Sequence, residues 1–165
     1  MWLKLGLNRD FFADLLILIC TKQIKVFISH SVTLQSMSKT KFTVEYDMQG
    51  APVTLLWQYL FMPQGLELWF ADEVQQEAKQ FVFFWDGVPQ QASLVSVRMG
   101  AYVRFHWKAD GREHTFFEMR INVSELTDNK TLLITDFADS EDEVKEMTEL
   151  WNHSIEKLKR CIGCN

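Results

Sequence analysis

Few groupings in this chain have the residue types and spacing for chemistry, and each has a plainer explanation. Cys161-Ile-Gly-Cys164 is a single Cys-x-x-Cys pair near the chain end. One pair supplies only two of the four ligands of a structural zinc, and no His pair stands near it in sequence. A redox pair usually opens a helix, where the dipole lowers the thiol pKa, whereas this pair closes one. Cys161 therefore reads as part of a helix packing face and Cys164 as a frayed tail. No metal or cofactor is expected. His106 and His114 flank Asp110-Gly111 on paired strands, near each other or Glu113, and read most simply as a solvated hairpin tip. Arg104, Glu118 and Arg120 fall on neighbouring strands, on the face opposite their large apolar neighbours. Facing outward they are cross-strand ion pairs. Facing inward, Arg104 or Arg120 would hold a carboxylate or phosphate head of a ligand. With His106 they are the candidate polar anchors.

The chain has no G-x-S-x-G, no H-E-x-x-H and no glycine-rich phosphate loop, so no catalytic residue is nominated. The run from Asp136 to Glu149 holds seven carboxylates against Lys145. It lacks the glycine-containing twelve-residue calcium pattern and reads as a solvated, dipole-matched helix start. The remaining signal is apolar. Thirteen Phe, six Trp and three Tyr give an aromatic share of 13%. Trp57, Trp69, Phe70, Phe83, Trp85, Phe105, Trp107, Met119, Met147, Trp151 and Ile155 are candidates to line a cavity. Ligand pockets are concave and mostly apolar, but the same side chains also suit a solid, bulky core.

The elements that must position these residues are legible from periodicity. Lys41 to Asp47 alternates, with Phe42, Val44 and Tyr46 on one face. Gly50-Ala51-Pro52 breaks it. Short helices are predicted over Val53 to Phe61 and Pro63 to Phe70. A meander follows: a weak strand over Asp72 to Glu77, then strands around Phe81 to Trp85, Ala92 to Arg98, Tyr102 to Trp107, Thr115 to Val123 and Thr131 to Phe137. Asp86-Gly87, Met99-Gly100, Asp110-Gly111 and Thr127-Asp128-Asn129 supply the turns. Tight turns make the neighbours antiparallel. A long helix from about Ser140 to Cys161 carries Val144, Met147, Trp151, Ile155, Leu158 and Ile162 in one stripe, with a Ser140/Glu143 capping box and Gly163 as its stop.

The totals bound the function classes. The 165 residues suit one domain with a real core. The net charge is −5, divided as +2 over residues 1–36 and −7 over 37–165, which disfavours nucleic acid and anionic lipid. Three cysteines without a secretory signal suit a reducing cytosol, where the sequons at Asn122, Asn129 and Asn152 carry no meaning. Residues 1–36 differ from the rest in charge and pattern. Their apolar run, Phe11 to Cys20, is ten residues long with Asp14 inside it, too short for a membrane span. Lys22 to Ile28 reads as a strand without a partner. Ser36-Met37-Ser38-Lys39 resembles a natural start, so Met37 is expected to be the initiator and residues 1–36 the product of an over-long gene assignment. The competing readings are a membrane-associated leader or an extra helix.

The segment Leu60-Phe-Met-Pro-Gln-Gly-Leu-Glu-Leu-Trp-Phe-Ala-Asp72 resembles a Pro-x-Gly-Leu-x-x-Trp-Phe stretch found after the first helix of START-like domains. Lys41 to Asp47, Phe81 to Gly87 and Thr131 to Phe137 fit the same pattern. From about Lys41 to Cys164 the chain is similar to the broad helix-grip (SRPBCC) superfamily. That superfamily includes the birch pollen allergen, polyketide cyclases and the activator of the heat-shock-protein-90 ATPase. Within it the resemblance is to small bacterial proteins related to that activator's C-terminal domain. It implies an α+β fold in which a curved antiparallel sheet of about seven strands grips the long C-terminal helix, with two short helices after the first strand. It implies a cytoplasmic, non-enzymatic binding domain for a small apolar or amphipathic ligand. The alternatives are a protein-interaction or co-chaperone-like module with a filled cavity, and a cyclase-like enzyme.

Overall fold

Alternating residues build the first strand. In β1 (Thr40–Asp47) Phe42, Val44 and Tyr46 are half-buried, while Lys41, Thr43 and Glu45 are exposed. The computed structural model describes residues 39–112, 114–124 and 129–164, all within one compact unit. The expectations for Phe11 to Cys20, Lys22 to Ile28, Met37 as initiator and Glu113 lie outside the described residues.

After β1, Gly50 at φ +88° turns the chain, a conformation without penalty for glycine. Pro52 caps helix α1 (Val53–Phe61), which buries Leu56 and Leu60 at i, i+4 spacing. A second helix, α2 (Pro63–Leu66), is a single turn. The sequence suggests a helix through Phe70, but the Leu66 carbonyl accepts both the Phe70 and the Ala71 N–H, which ends it. Residues 67–70 are turn, and the chain enters the sheet at once, with the Asp72 N–H on the Phe84 carbonyl.

The meander comprises β2 (Glu73–Glu77), β3 (Gln80–Trp85), β4 (Val88–Arg98), β5 (Tyr102–Trp107), β6 (Phe117–Val123) and β7 (Lys130–Ala138). The order across the sheet is β1-β7-β6-β5-β4-β3-β2, antiparallel throughout. Asp86 and Gly87, at φ 48° and 77°, make the two-residue hairpin expected between β3 and β4. β4 begins four residues before the expected Ala92 because Val88 and Pro89 pair opposite Trp85 and Phe84. It outlasts β3: pairing ends at Ser93, a bulge follows at Leu94/Ser96, and Val95, Val97 and Met99 are exposed.

Helix α3 (Glu141–Ile162) closes the fold and buries Met147, Trp151, Ile155 and Leu158. Ser140 Oγ accepts the Glu143 N–H at 3.2 Å. The Glu143 carboxylate reaches the Asp139 N–H at 2.6 Å, so the reciprocal half of the capping box falls one residue earlier than the standard pattern. Gly163, at φ 73°, lets the Cys164 N–H return to the Lys159 carbonyl. That turn tucks Cys164 into the core and leaves Cys161 exposed, the reverse of the expected packing of the pair.

Candidate functional site

Strand alternation places one set of side chains on the concave face. Phe81 and Phe83 of β3, Val103 and Phe105 of β5, Phe117 and Met119 of β6, and Leu132 and Ile134 of β7 are all fully buried. α3 lays Trp151 and Ile155 over them. The rings meet in one continuous group. Phe117 lies 4.7 Å from Trp107 and 5.0 Å from Phe105, both stacked. Phe105 is edge-on to Phe81 at 4.9 Å and to Phe83 at 5.9 Å. Trp85 stacks on Phe83 at 5.9 Å.

The turn after α2 sends Phe70 into the middle of this group. Its ring is 5.5 Å from Trp151 and 18° from parallel. It is edge-on to Phe83 at 5.2 Å and to Trp85 at 5.6 Å, and tilted against Phe117 at 5.7 Å. Indole N–H groups fix the turn: Trp69 Nε1 donates to the Tyr59 carbonyl at 2.9 Å, and Trp85 Nε1 to the Phe70 carbonyl at 2.8 Å. Phe70, Trp85 and Trp107 are only half-buried and mark the side where the ring group meets solvent.

Nine of the eleven cavity candidates lie in or beside this ring group. Met119 and Ile155 are fully buried wall residues, and Trp69 backs the turn. Met147 is buried but outside the continuous core cluster. Trp57 stands apart: it stacks on Phe61 at 5.5 Å and touches none of the rings around Phe70.

The polar candidates do not reach this space. Arg104, Arg120 and His106 point to the outer face of the sheet. Arg104 Nε and Nη2 donate to Glu118 Oε2 at 2.9 and 2.7 Å, and Arg120 Nε donates to Oε1 at 2.9 Å. Each guanidinium also covers a ring, Arg104 over Phe116 at 4.0 Å and Arg120 over Tyr102 at 4.4 Å. The His106 ring nitrogens lie 2.7 Å from the Thr115 carbonyl and 3.1 Å from the Gly111 carbonyl. His114 is exposed. Among the described residues no three His, Cys, Asp or Glu side chains gather as a metal site.

The concave face carries a polar group that the sequence reading missed. Asp136 is buried, accepting the Trp151 Nε1–H at 3.1 Å and the Phe137 N–H at 2.8 Å. The acidic run was read as solvated, but Asp136 follows Leu132 and Ile134 at strand spacing, and that alternation was the available signal. Two further polar groups lie one on the strand facing the helix and one on the helix itself. The Tyr46 hydroxyl donates to Asn152 Oδ1 at 2.9 Å, and burial together with nearby Glu149 pushes its pKa up to about 12. Partial burial lowers the pKa of Lys157, against the pull of Asp72 beside the Phe70 turn.

Comparison with known proteins agrees with this architecture. No curated protein matches the chain in sequence. Among solved structures, the BfR322 protein of Bacteroides fragilis is 36% identical over 76% of this chain and 92% of its own, with a TM-score of 0.54. The Aha1 dimer from Colwellia psychrerythraea shares the fold at 13% identity, covering 74% of this chain and 96% of its own, with a TM-score of 0.62. CalU16 from Micromonospora echinospora does so at 18% identity over 75% and 76%, with a TM-score of 0.60. No described helix is long and apolar enough to cross a membrane. The family model of the START-like superfamily domain matches residues 36–164, and the chain belongs to that superfamily.

Proposed function

We propose that this domain binds a small apolar or amphipathic ligand, without catalysis, between the concave sheet and α3. The observation that carries the reading is the wall itself. Phe70, Phe81, Phe83, Trp85, Phe105, Trp107, Phe117 and Trp151 form one contacting group, open to solvent at Phe70, Trp85 and Trp107. An apolar wall with one wet side and few polar groups is the form of a small-molecule site. The segment from Trp57 to Phe70, which delivers the Phe70 ring, gates the entry. The free thiols Cys161 and Cys164 fit a reducing compartment such as the cytosol.

One observation favours a second reading, a protein-interaction module with a filled interior: the Phe70 ring occupies the centre of the space. Two-dimensional NMR of the full chain, titrated with fatty acids, sterols and aromatic metabolites, separates the two. Saturable shifts of the Trp85, Trp107 and Trp151 indole N–H signals support the ligand site. No shift with any compound, in a folded protein, refutes it and supports the interaction module.

A further inference from the structure

The five rings around Phe70 describe what the space selects. One face of the Phe70 ring is covered by Trp151 in near-parallel stacking, and the edges of Phe83 and Trp85 close two sides. These are the offset-stacked and edge-to-face arrangements that ring quadrupoles favour. An aliphatic chain in the same place fills volume but gains none of that directional attraction.

Phe70 differs from its neighbours in how it is held. Phe83, Phe105 and Phe117 sit on central strands and are fully buried. Phe70 belongs to a turn whose backbone is secured without help from its ring. Its N–H is bonded to the Leu66 carbonyl at 2.8 Å, and its own carbonyl accepts the Trp85 indole. Glu67 adds a tie by accepting the Val74 N–H at 3.0 Å. Rotation about χ1 would carry this half-buried ring away from the slot without breaking those backbone bonds.

We propose that the slot now filled by the Phe70 ring is the recognition site for one planar aromatic ring, phenyl- to indole-sized, and that Phe70 is its side-chain gate. This rests on the ligand-binding reading above and narrows its ligand class. Because the gate and the ligand compete for one slot, the apparent affinity is reduced by the fraction of time the slot is closed.

The test uses the full-length chain, with indole and decanoate as probes, and follows the Phe70 ring and Trp151 indole signals by NMR. Indole is expected to bind saturably and to erase the ring-current shifts of Phe70. Phe70→Leu is expected to tighten indole about tenfold while changing decanoate less than twofold. Phe116→Leu, a matching change on the outer face of the sheet, where Phe116 packs on Phe137 and Arg104, is expected to leave indole affinity unaltered. Decanoate binding with shifts at Trp85, Trp107 and Trp151, but an unmoved Phe70 ring under saturating indole, overturns the gate and leaves the ligand-binding reading standing. An equal gain in Phe116→Leu also overturns it. Failure of both probes to bind the wild type and the folded variants overturns both readings.

Discussion

Asp136 and Trp151 join the last strand to the long helix through one buried hydrogen bond, the indole N–H donating to the carboxylate at 3.1 Å. Removing only the donor tests it. Trp151→Phe keeps a ring in the core but leaves Asp136 without that partner. Loss of a buried partner costs about 1–3 kcal/mol. Urea unfolding should show a loss in that range, and a change below about 0.5 kcal/mol would mean that the bond does not hold the elements together.

On the outer face, Arg104 and Arg120 share Glu118 unequally. Each covers a ring, but Arg104 gives Glu118 two hydrogen bonds and Arg120 gives one. Both guanidinium groups are about one-third exposed, so screening keeps each contribution small. Arg104→Ala should cost about 1 kcal/mol and Arg120→Ala less. Thermal melts in low and high salt check the order, and a larger loss for Arg120→Ala would contradict it.

Tyr46 makes stability fall in alkali. Its pKa is raised to about 12 from 10.0, so the unfolded chain loses the proton first. The contribution is fully present below pH 10 and is lost as pH rises from 10 towards 12. Tyr46→Phe should flatten this part of the pH–stability curve. An unchanged slope would place the ionisation elsewhere.

Gly65 is required for close packing of α2 on α1. A β-carbon there would collide with the Gln58 carbonyl oxygen and come within 2.7 Å of Tyr59 Cα, both backbone atoms. Gly65→Ala should cost more than about 3 kcal/mol, since backbone cannot yield as a flexible side chain does. Gly50→Ala meets no atom within 4 Å and should cost only about 1 kcal/mol, from its positive φ. Denaturation midpoints of the two variants give the comparison, and similar values would show that the α1–α2 contact is not tight.

Long periodic segments were the readable part of this chain. The alternation of Phe42, Val44 and Tyr46 and the stripe from Met147 to Leu158 each span several residues of one pattern, so local and tertiary preferences agree. Glu67 to Phe70 was misread as helix because nothing in its composition forbids one. The turn is set by hydrogen bonds to Leu66, Tyr59 and Glu67, of which the Tyr59 bond needs α1 packed beside it and the Glu67 bond needs β2 in place. Asp136 was hidden by its acidic neighbours, and the two cysteines were exchanged because a single left-handed residue, Gly163, reverses which of them turns inward. The rings of the candidate site were visible as a composition. That Phe70 stands among them depends on that same turn, and no spacing rule reports it.

The pairing of β1 with β7, Thr40 opposite Ala138, also sets a schedule for synthesis. β1 has β7 as its single neighbour in the sheet and leaves the ribosome long before that partner exists. The aromatic wall of β3, β5 and β6 likewise emerges before α3 can cover it. A nascent or truncated chain ending near residue 138 would carry the rings of β3, β5 and β6 without the helix that covers them. Pairing between distant segments is slow and exposes sticky intermediates. The last 25 or so residues thus cover that apolar face, although they supply only one ring, Trp151, to the wall.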